Sequence, residues 1–223
     1  MSDSLGDRMK QQYENRTRHY LMRRCPTIIR VDGKAFHTFT EKLIKPFDSD
    51  FLNCVNKTAI ALCQNIQGAH FAYIQSDEIS ILISDYKNID TNAWFDYNIQ
   101  KMVSVSASIA TAHFNTEFRV YRWPAANAYF DARVLQIADP FEVENYFIWR
   151  QQDAIRNSIQ MVARAHFSHS ELDNKSQKDQ WYMLKEQKKI DWHEMESKYK
   201  HGRVIKKIPA FTYDENDENE KSM

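Results

Sequence analysis

The period of apolar and polar residues changes repeatedly along this chain, and each change marks an element. Residues 8–24 are amphipathic, with basic residues on the polar side, and predict a helix that Pro26 ends. Thr27-Ile28-Ile29-Arg30-Val31 is short, β-branched and apolar and predicts a strand; Asp32-Gly33 then turns the chain. After Pro46 a helix opens near Asp48 or Ser49, with Phe51, Val55, Ala59, Leu62 and Ile66 as its buried stripe and Gly68 as its stop. Residues 69–75 and 79–84 are extended runs joined through Ser76-Asp77-Glu78, a hairpin pattern. A second long helix is predicted over 93–118. Its small residues Ser104, Ser106, Ala107, Ser108, Ala110 and Ala112 would let it approach a sheet closely. A loop around Pro124 leads to a strand over 130–138. Pro140 opens a helix reaching about Phe167, with Val143, Phe147, Ile155, Ile159 and Val162 on its buried side. Shorter helices are predicted at 175–189 and 192–199.

The order strand, helix, hairpin, helix, strand predicts an α+β fold with a ferredoxin-like (βαββαβ) core and added helices. Polymerase palms and nucleotidyl cyclases share that core, as do many non-enzymatic domains. The division expected is a palm-like core at 1–139, a helical extension packed on it at 140–213, and an acidic, disordered tail at 214–223.

Composition narrows the classes. With 223 residues, 43% hydrophobic and 27% charged, the chain reads as an ordinary globular protein. It has no apolar run long enough to span a bilayer and a polar N-terminus without an apolar signal region, so a cytoplasmic location is expected. Cys25, Cys54 and Cys63 are widely spaced and fit buried thiols better than a zinc knuckle or disulfide framework. The net charge is zero, but the last ten residues are acidic, leaving 29 basic and 25 acidic residues over 1–213. The basic clusters at Arg16–Arg24 and Lys185–Lys207 suit a phosphate-rich partner or a solvated helix face. Only four glycines are present, and they write neither GxGxxG nor a Walker A loop.

Chemistry gathers at two places where an apolar run stops: Arg30-Val31-Asp32-Gly33-Lys34-Ala35-Phe36-His37 and Gln75-Ser76-Asp77-Glu78. In the predicted topology Asp32 and Asp77 meet at one end of a sheet. Two carboxylates, with the Gly33 carbonyl as a third ligand, suit two magnesium ions facing a triphosphate. Taken alone, Asp-Gly is a common turn dipeptide and Ser-Asp-Glu an ordinary hairpin tip. Lys34 and Lys45 can pair with phosphates or stay solvated. Phe36 can lie against a base or in the core, and His37 can touch a phosphate or be satisfied locally. Lys101 can face the site from the second long helix.

The runs Arg-Val-Asp-Gly-Lys-Ala-Phe-His-Thr-Phe-Thr and Gln-Ser-Asp-Glu-Ile-Ser resemble the tRNA(His) guanylyltransferase superfamily, the 3′→5′ reverse polymerases. So do the stretches Lys101–Ser108, Phe130–Arg133 and Asn145–Asp153. The resemblance implies metal binding by Asp32, Gly33 and Asp77. It also implies a nucleotide pocket of Asp32, Gly33, Lys34, Ala35, Phe36, His37, Lys45, Ser76 and Asp77. ATP and GTP are implied as substrates, tRNA as partner and a homo-tetramer as assembly. Glu78, Lys101, Arg150, Asn157, Lys175 and Ser176 are implied as phosphate or RNA contacts. Where eukaryotic members carry His-Ile-Asn-Asn-Leu-Tyr-Asn, this chain reads Ile155-Arg156-Asn157-Ser158-Ile159-Gln160-Met161. That form resembles the bacterial and archaeal guanylyltransferase-like branch, which repairs 5′-truncated tRNA against a template. Asn174-Lys175-Ser176 is similar to a Gly-Lys-Ser of that branch, and Asn98 stands where many relatives have Arg. The expectation is template-dependent 5′ repair. The alternatives are single guanylate addition to tRNA(His), a nucleotidyl cyclase on the same palm, or a non-catalytic RNA-binding module.

Overall fold

The computed structural model describes residues 4–122 and 126–208. The N-terminal segment forms α1 (Leu5–Met9), a wider π-type turn (Lys10–Glu14) and a 3-10 turn (Asn15–Thr17), none burying a residue. The helix expected over 8–24 therefore stops at Thr17, because no packed face extends it. Strand β1 (Thr27–Gly33) runs through the Asp-Gly pair, and the chain turns after it, at Lys34 and Ala35, before the short α2 (Phe36–Phe39). Helix α3 (Ser49–Asn65) begins at Asp48, whose Oδ1 accepts the Phe51 amide at 3.0 Å. All five residues of its expected stripe are buried. Strands β2 (Ala69–Gln75) and β3 (Glu78–Ile83) form the expected hairpin, tightened to the two residues Ser76 and Asp77.

The second long helix splits. Trp94–Tyr97 is a 3-10 turn, and α4 (Ile99–Tyr121) starts afresh where the Asn98 Oδ1 accepts the Lys101 amide. Of its small residues, Ser106 and Ala110 are buried beside Met102 and Phe114, whereas Ser104, Ser108 and Ala112 face solvent. Part of the Pro124 loop lies outside the described residues. Strand β4 (Phe130–Gln136) and helix α5 (Pro140–His166) follow the expected bounds closely. The chain continues through α6 (His169–Leu172), α7 (Gln177–Lys188), a 3-10 turn (Trp192–Glu194) and α8 (Ser197–Lys200). A final strand, β5 (Arg203–Lys206), was not expected. The acidic segment 214–223 lies outside the described residues.

The sheet order is β4-β1-β3-β2-β5 with every pair antiparallel, the ferredoxin-like order extended by one edge strand. Alternation in the strands makes two unlike faces. Ile29, Val31, Ile79 and Ile81 turn one face to α3 and α4, where Phe36, Phe51, Phe114 and Phe130 complete the core. The other face carries Arg30, Asp32, Ser80, Asp131 and Arg133. Helix α5 covers its β2–β3 half, with Tyr146 Oη 3.0 Å from Ser80 Oγ and the Phe147 ring 4.8 Å from that of Phe71. Farther along, α5 buries Ile159, Val162 and Ala163 in a second core with Leu184 of α7 and Trp192. The β1–β4 half of the polar face stays open, since Asp131 and Arg133 are exposed.

Candidate active site

Because β1 and β3 are antiparallel neighbours, with Val31 opposite Ile79, the end of β1 lies beside the β2–β3 turn. Asp32, Gly33 and Asp77 meet there. A Cβ at Gly33 would come within 2.6 Å of Asp77 Oδ2 and would strike the Phe36 ring, so only bare backbone fits against that carboxylate. The Asp77 carboxyl is pushed up to about 6, first by burial and then by the charge of nearby Asp32, against hydrogen bonds from its own backbone and the Ser76 hydroxyl. Among the described residues, no basic side chain forms an ion pair with it. Asp32 has Arg133 Nη2 only at 3.9 Å. Two neighbouring carboxylates at bare Gly33 backbone are oxygen ligands of the kind magnesium takes. Among the described residues, no cluster of three or more His, Cys, Asp or Glu forms a richer site.

The backbone on either side is strained. Ala35 has φ +54° and Ser76 φ +48°, the left-handed region that side chains other than Gly and Asn rarely enter. The turn carrying Asp77 is held from below. Arg150 of α5 donates from Nε and Nη2 to the two Glu78 carboxylate oxygens, both at 2.8 Å, and from Nη2 to Asp153 Oδ2 at 2.9 Å. Gln75 Nε2 and Asn157 Nδ2 donate to the same Asp153 oxygen, at 3.3 Å and 3.2 Å. Glu78, Arg150 and Asn157, raised above as phosphate or RNA contacts, are thus engaged with protein partners, and Glu78 and Arg150 are buried.

The remaining candidates divide. Lys34, Ala35 and His37 are exposed beside the aspartates, while Phe36 is a core residue 4% exposed, so its ring does not face a ligand. Lys45 and Ser76 line a cleft, and the Lys45 ammonium donates to the Thr40 carbonyl at 2.8 Å. Lys101 is misplaced by the expectation above. It sits in the first turn of α4, whose later residue Thr111 accepts the Phe130 amide near Gly33. Ten residues of helix, about 15 Å, separate the two. Pattern reading passed over Arg30 and Arg133, register partners on the open floor beside Asp32; Arg30 Nε is buried with no partner. A guanidinium two places before Asp32 in an apolar strand was the available signal.

The tRNAHis guanylyltransferase family model matches residues 6–138. The chain belongs to the tRNAHis guanylyltransferase family. This is a family of nucleotidyltransferases. A bacterial tRNA(His) guanylyltransferase-like protein solved in complex with ATP is 48% identical, with a TM-score of 0.89 over 92% of this chain and 89% of that one. Another structure of such a bacterial protein, in complex with GTP, is 44% identical, with a TM-score of 0.78 over 91% and 85%. The probable tRNA(His) guanylyltransferase of Dictyostelium discoideum is 27% identical over 82% of this chain and 75% of its own.

Two departures from the guanylyltransferase pattern have structural reasons. Asn98 is buried and caps α4, a role its short amide can fill and a long guanidinium cannot. Asn174 has φ +55°, a left-handed conformation that Asn, like Gly, adopts readily. Ser176, after Lys175 in the same turn, accepts the Asp179 amide in a capping box that starts α7. In this guanylyltransferase-family chain the α6–α7 turn belongs to the helical layer and not to the sheet.

Proposed function

We propose that this protein is a magnesium-dependent nucleotidyltransferase that extends tRNA 5′ ends in the 3′→5′ direction, repairing truncated acceptor stems against the facing strand. The observation that carries the reading is the Asp32–Asp77 pair, crowded at bare Gly33 backbone without a cation against Asp77. Asp32, the Gly33 carbonyl and Asp77 would hold two magnesium ions, which supply charge neutralisation and a lowered hydroxyl pKa. The chain's own residues do the rest. Lys34 and His37, both exposed, face the triphosphate. Arg30 and Arg133 place positive charge on the open floor where a second polyphosphate or the RNA 5′ phosphate lies. Ser76 and Lys45 border the nucleotide on the cleft side.

The reaction has two displacements. An oxygen of the RNA 5′-monophosphate attacks the α-phosphorus of ATP or GTP, and pyrophosphate leaves. The 3′-hydroxyl of an incoming nucleotide then attacks the activated 5′ phosphorus, and the nucleoside monophosphate leaves. Arg150, through Glu78, fixes the turn that bears Asp77 and so keeps both carboxylates in register. The protein acts in the cytoplasm as a homo-tetramer. Addition of one guanylate before the first nucleotide of tRNA(His) is the second reading, favoured by the names of the curated relatives.

Labelled GTP incorporation decides between them. Wild type should extend a tRNA lacking its first nucleotide, templated by the opposite base, faster than it modifies intact tRNA(His). Asp32→Asn and Asp77→Asn should incorporate nothing. Incorporation by both variants at the wild-type rate would end the reading.

A further inference from the structure

Helix α5 covers only half of the polar face, and three consecutive contacts show which of its edges borders the open half. Tyr146 points down onto the middle strand, its Oη 3.0 Å from Ser80 Oγ in β3. Phe147, about 100° farther round the helix, packs on Phe71 and Tyr73 and so marks the β2 side. Trp149 is about 60° from Tyr146 in the opposite sense, so its ring lies toward β1 and the uncovered floor. Arg156 follows seven residues later on the same edge. Trp149 is 48% exposed, yet its ring is held. The Arg150 guanidinium lies 4.3 Å from the ring centroid, and the Tyr146 ring meets it at 5.8 Å and 70°. Arg150 is itself buried and fixed by Glu78, the residue after Asp77, so ring and carboxylates share one clamp. The charges around the ring are positive. Arg30 has a buried Nε without a partner, Arg133 is exposed on the floor, and Arg156, though paired with Asp153, keeps half its side chain in solvent. A fixed, half-open aromatic ring among guanidinium groups is the surface on which nucleic-acid bases stack while their phosphates are neutralised.

We infer that Trp149 is a stacking platform for the open end of the RNA, and that the base it takes is the unpaired templating base of the facing strand. This rests on the reading above that the protein repairs truncated acceptor stems. In such a stem the 5′ nucleotide is paired and its base is covered, while the base opposite the gap has no partner. With the 5′ phosphate at Arg30 and Arg133, that free base is the one left to meet the ring beside them. Stacking reads no base edge, so one ring serves every templating base, as repair at any sequence requires.

Equilibrium binding of an acceptor-stem duplex lacking its first 5′ nucleotide, with magnesium and no triphosphate, tests this on wild type, Trp149→Leu and Trp149→Tyr. Two duplexes are compared, one with the templating base and one abasic at that position. Wild type should lose about tenfold in affinity when the base is removed. Trp149→Leu should bind both duplexes alike, and Trp149→Tyr should recover most of the difference. The fluorescence of 2-aminopurine placed at the templating position should be quenched by wild type and far less by Trp149→Leu. Equal binding of the two duplexes by wild type, or a base effect of full size in Trp149→Leu, overturns the inference alone; the wild-type comparison stands even if the variant folds poorly. If Trp149→Leu instead changes the sedimentation of the free protein and keeps the base effect, the ring belongs between copies of the chain and the inference falls. Failure of wild type to bind either duplex would sink the RNA-repair reading itself.

Discussion

Strand β3 has a buried or half-buried aspartate just beyond each end, and the two are opposite in character. Asp85, past its last residue, accepts Arg23 Nε at 2.6 Å, the Arg24 amide at 2.8 Å and Tyr97 Oη at 3.2 Å. Burial alone would raise its pKa, but these partners hold it below the ordinary range. Asp77, before the first residue, has a second carboxylate for a neighbour and a pKa near 6. One end of the strand is finished by the protein itself. The other is left short of positive charge, and the proposed metal site rests on that deficit.

The sharpest way to break this contrast is to neutralise each carboxylate. Asp77→Asn should lower nucleotide incorporation by about a thousandfold while leaving the metal-free protein at least as stable at pH 7. Asp85→Ala should do the reverse, keeping incorporation and lowering the urea midpoint, because the Arg24 amide and the Tyr97 hydroxyl lose their acceptor. Equal activity loss in both would remove the distinction.

Glu78→Gln tests the clamp between the two ends. It leaves buried Arg150 half-paired and should cost about 3 kcal/mol, and the magnesium concentration for half-maximal activity should rise with it. A stability loss with an unchanged magnesium requirement would make the pair purely structural.

The smallest effect is in pH. Asp77 has a folded pKa above its ordinary 3.8, so the native state holds the extra proton between about 4 and 6. Its contribution to metal-free stability is present below that window and lost as pH rises through 6, by about 3 kcal/mol at most. Magnesium should restore the loss at pH 7, and Asp77→Asn should show neither effect. Asp85 works in the opposite sense, its contribution being lost as pH falls below 3.8. Thermal melts at several pH values, with and without magnesium, separate the two.

Much of this was legible in the chain. The apolar extended runs at 27–31, 69–75 and 79–84 and the stripe of α3 are local patterns, written within a few neighbours. The aspartates were legible because each ends such a run. Strand β5 was not, since Arg203-Val204-Ile205-Lys206 is four residues long, half charged, and extended only because β2 offers an unpaired edge. The error at Lys101 has the same origin: helix periodicity does not say which end of a helix lies over which end of a sheet.

By itself the sequence determined the order of elements and the two acidic turns, because hydrophobic period and chain-breaking residues act over a few neighbours. Tertiary structure alone decided what each charge meets. Arg150 finds Glu78 across 72 residues and leaves solvent, Asp85 gains three donors, and Asp77 gains a second carboxylate and only local hydrogen bonds. Such pairings depend on long-range packing, which brings together groups that carry no local sign of one another.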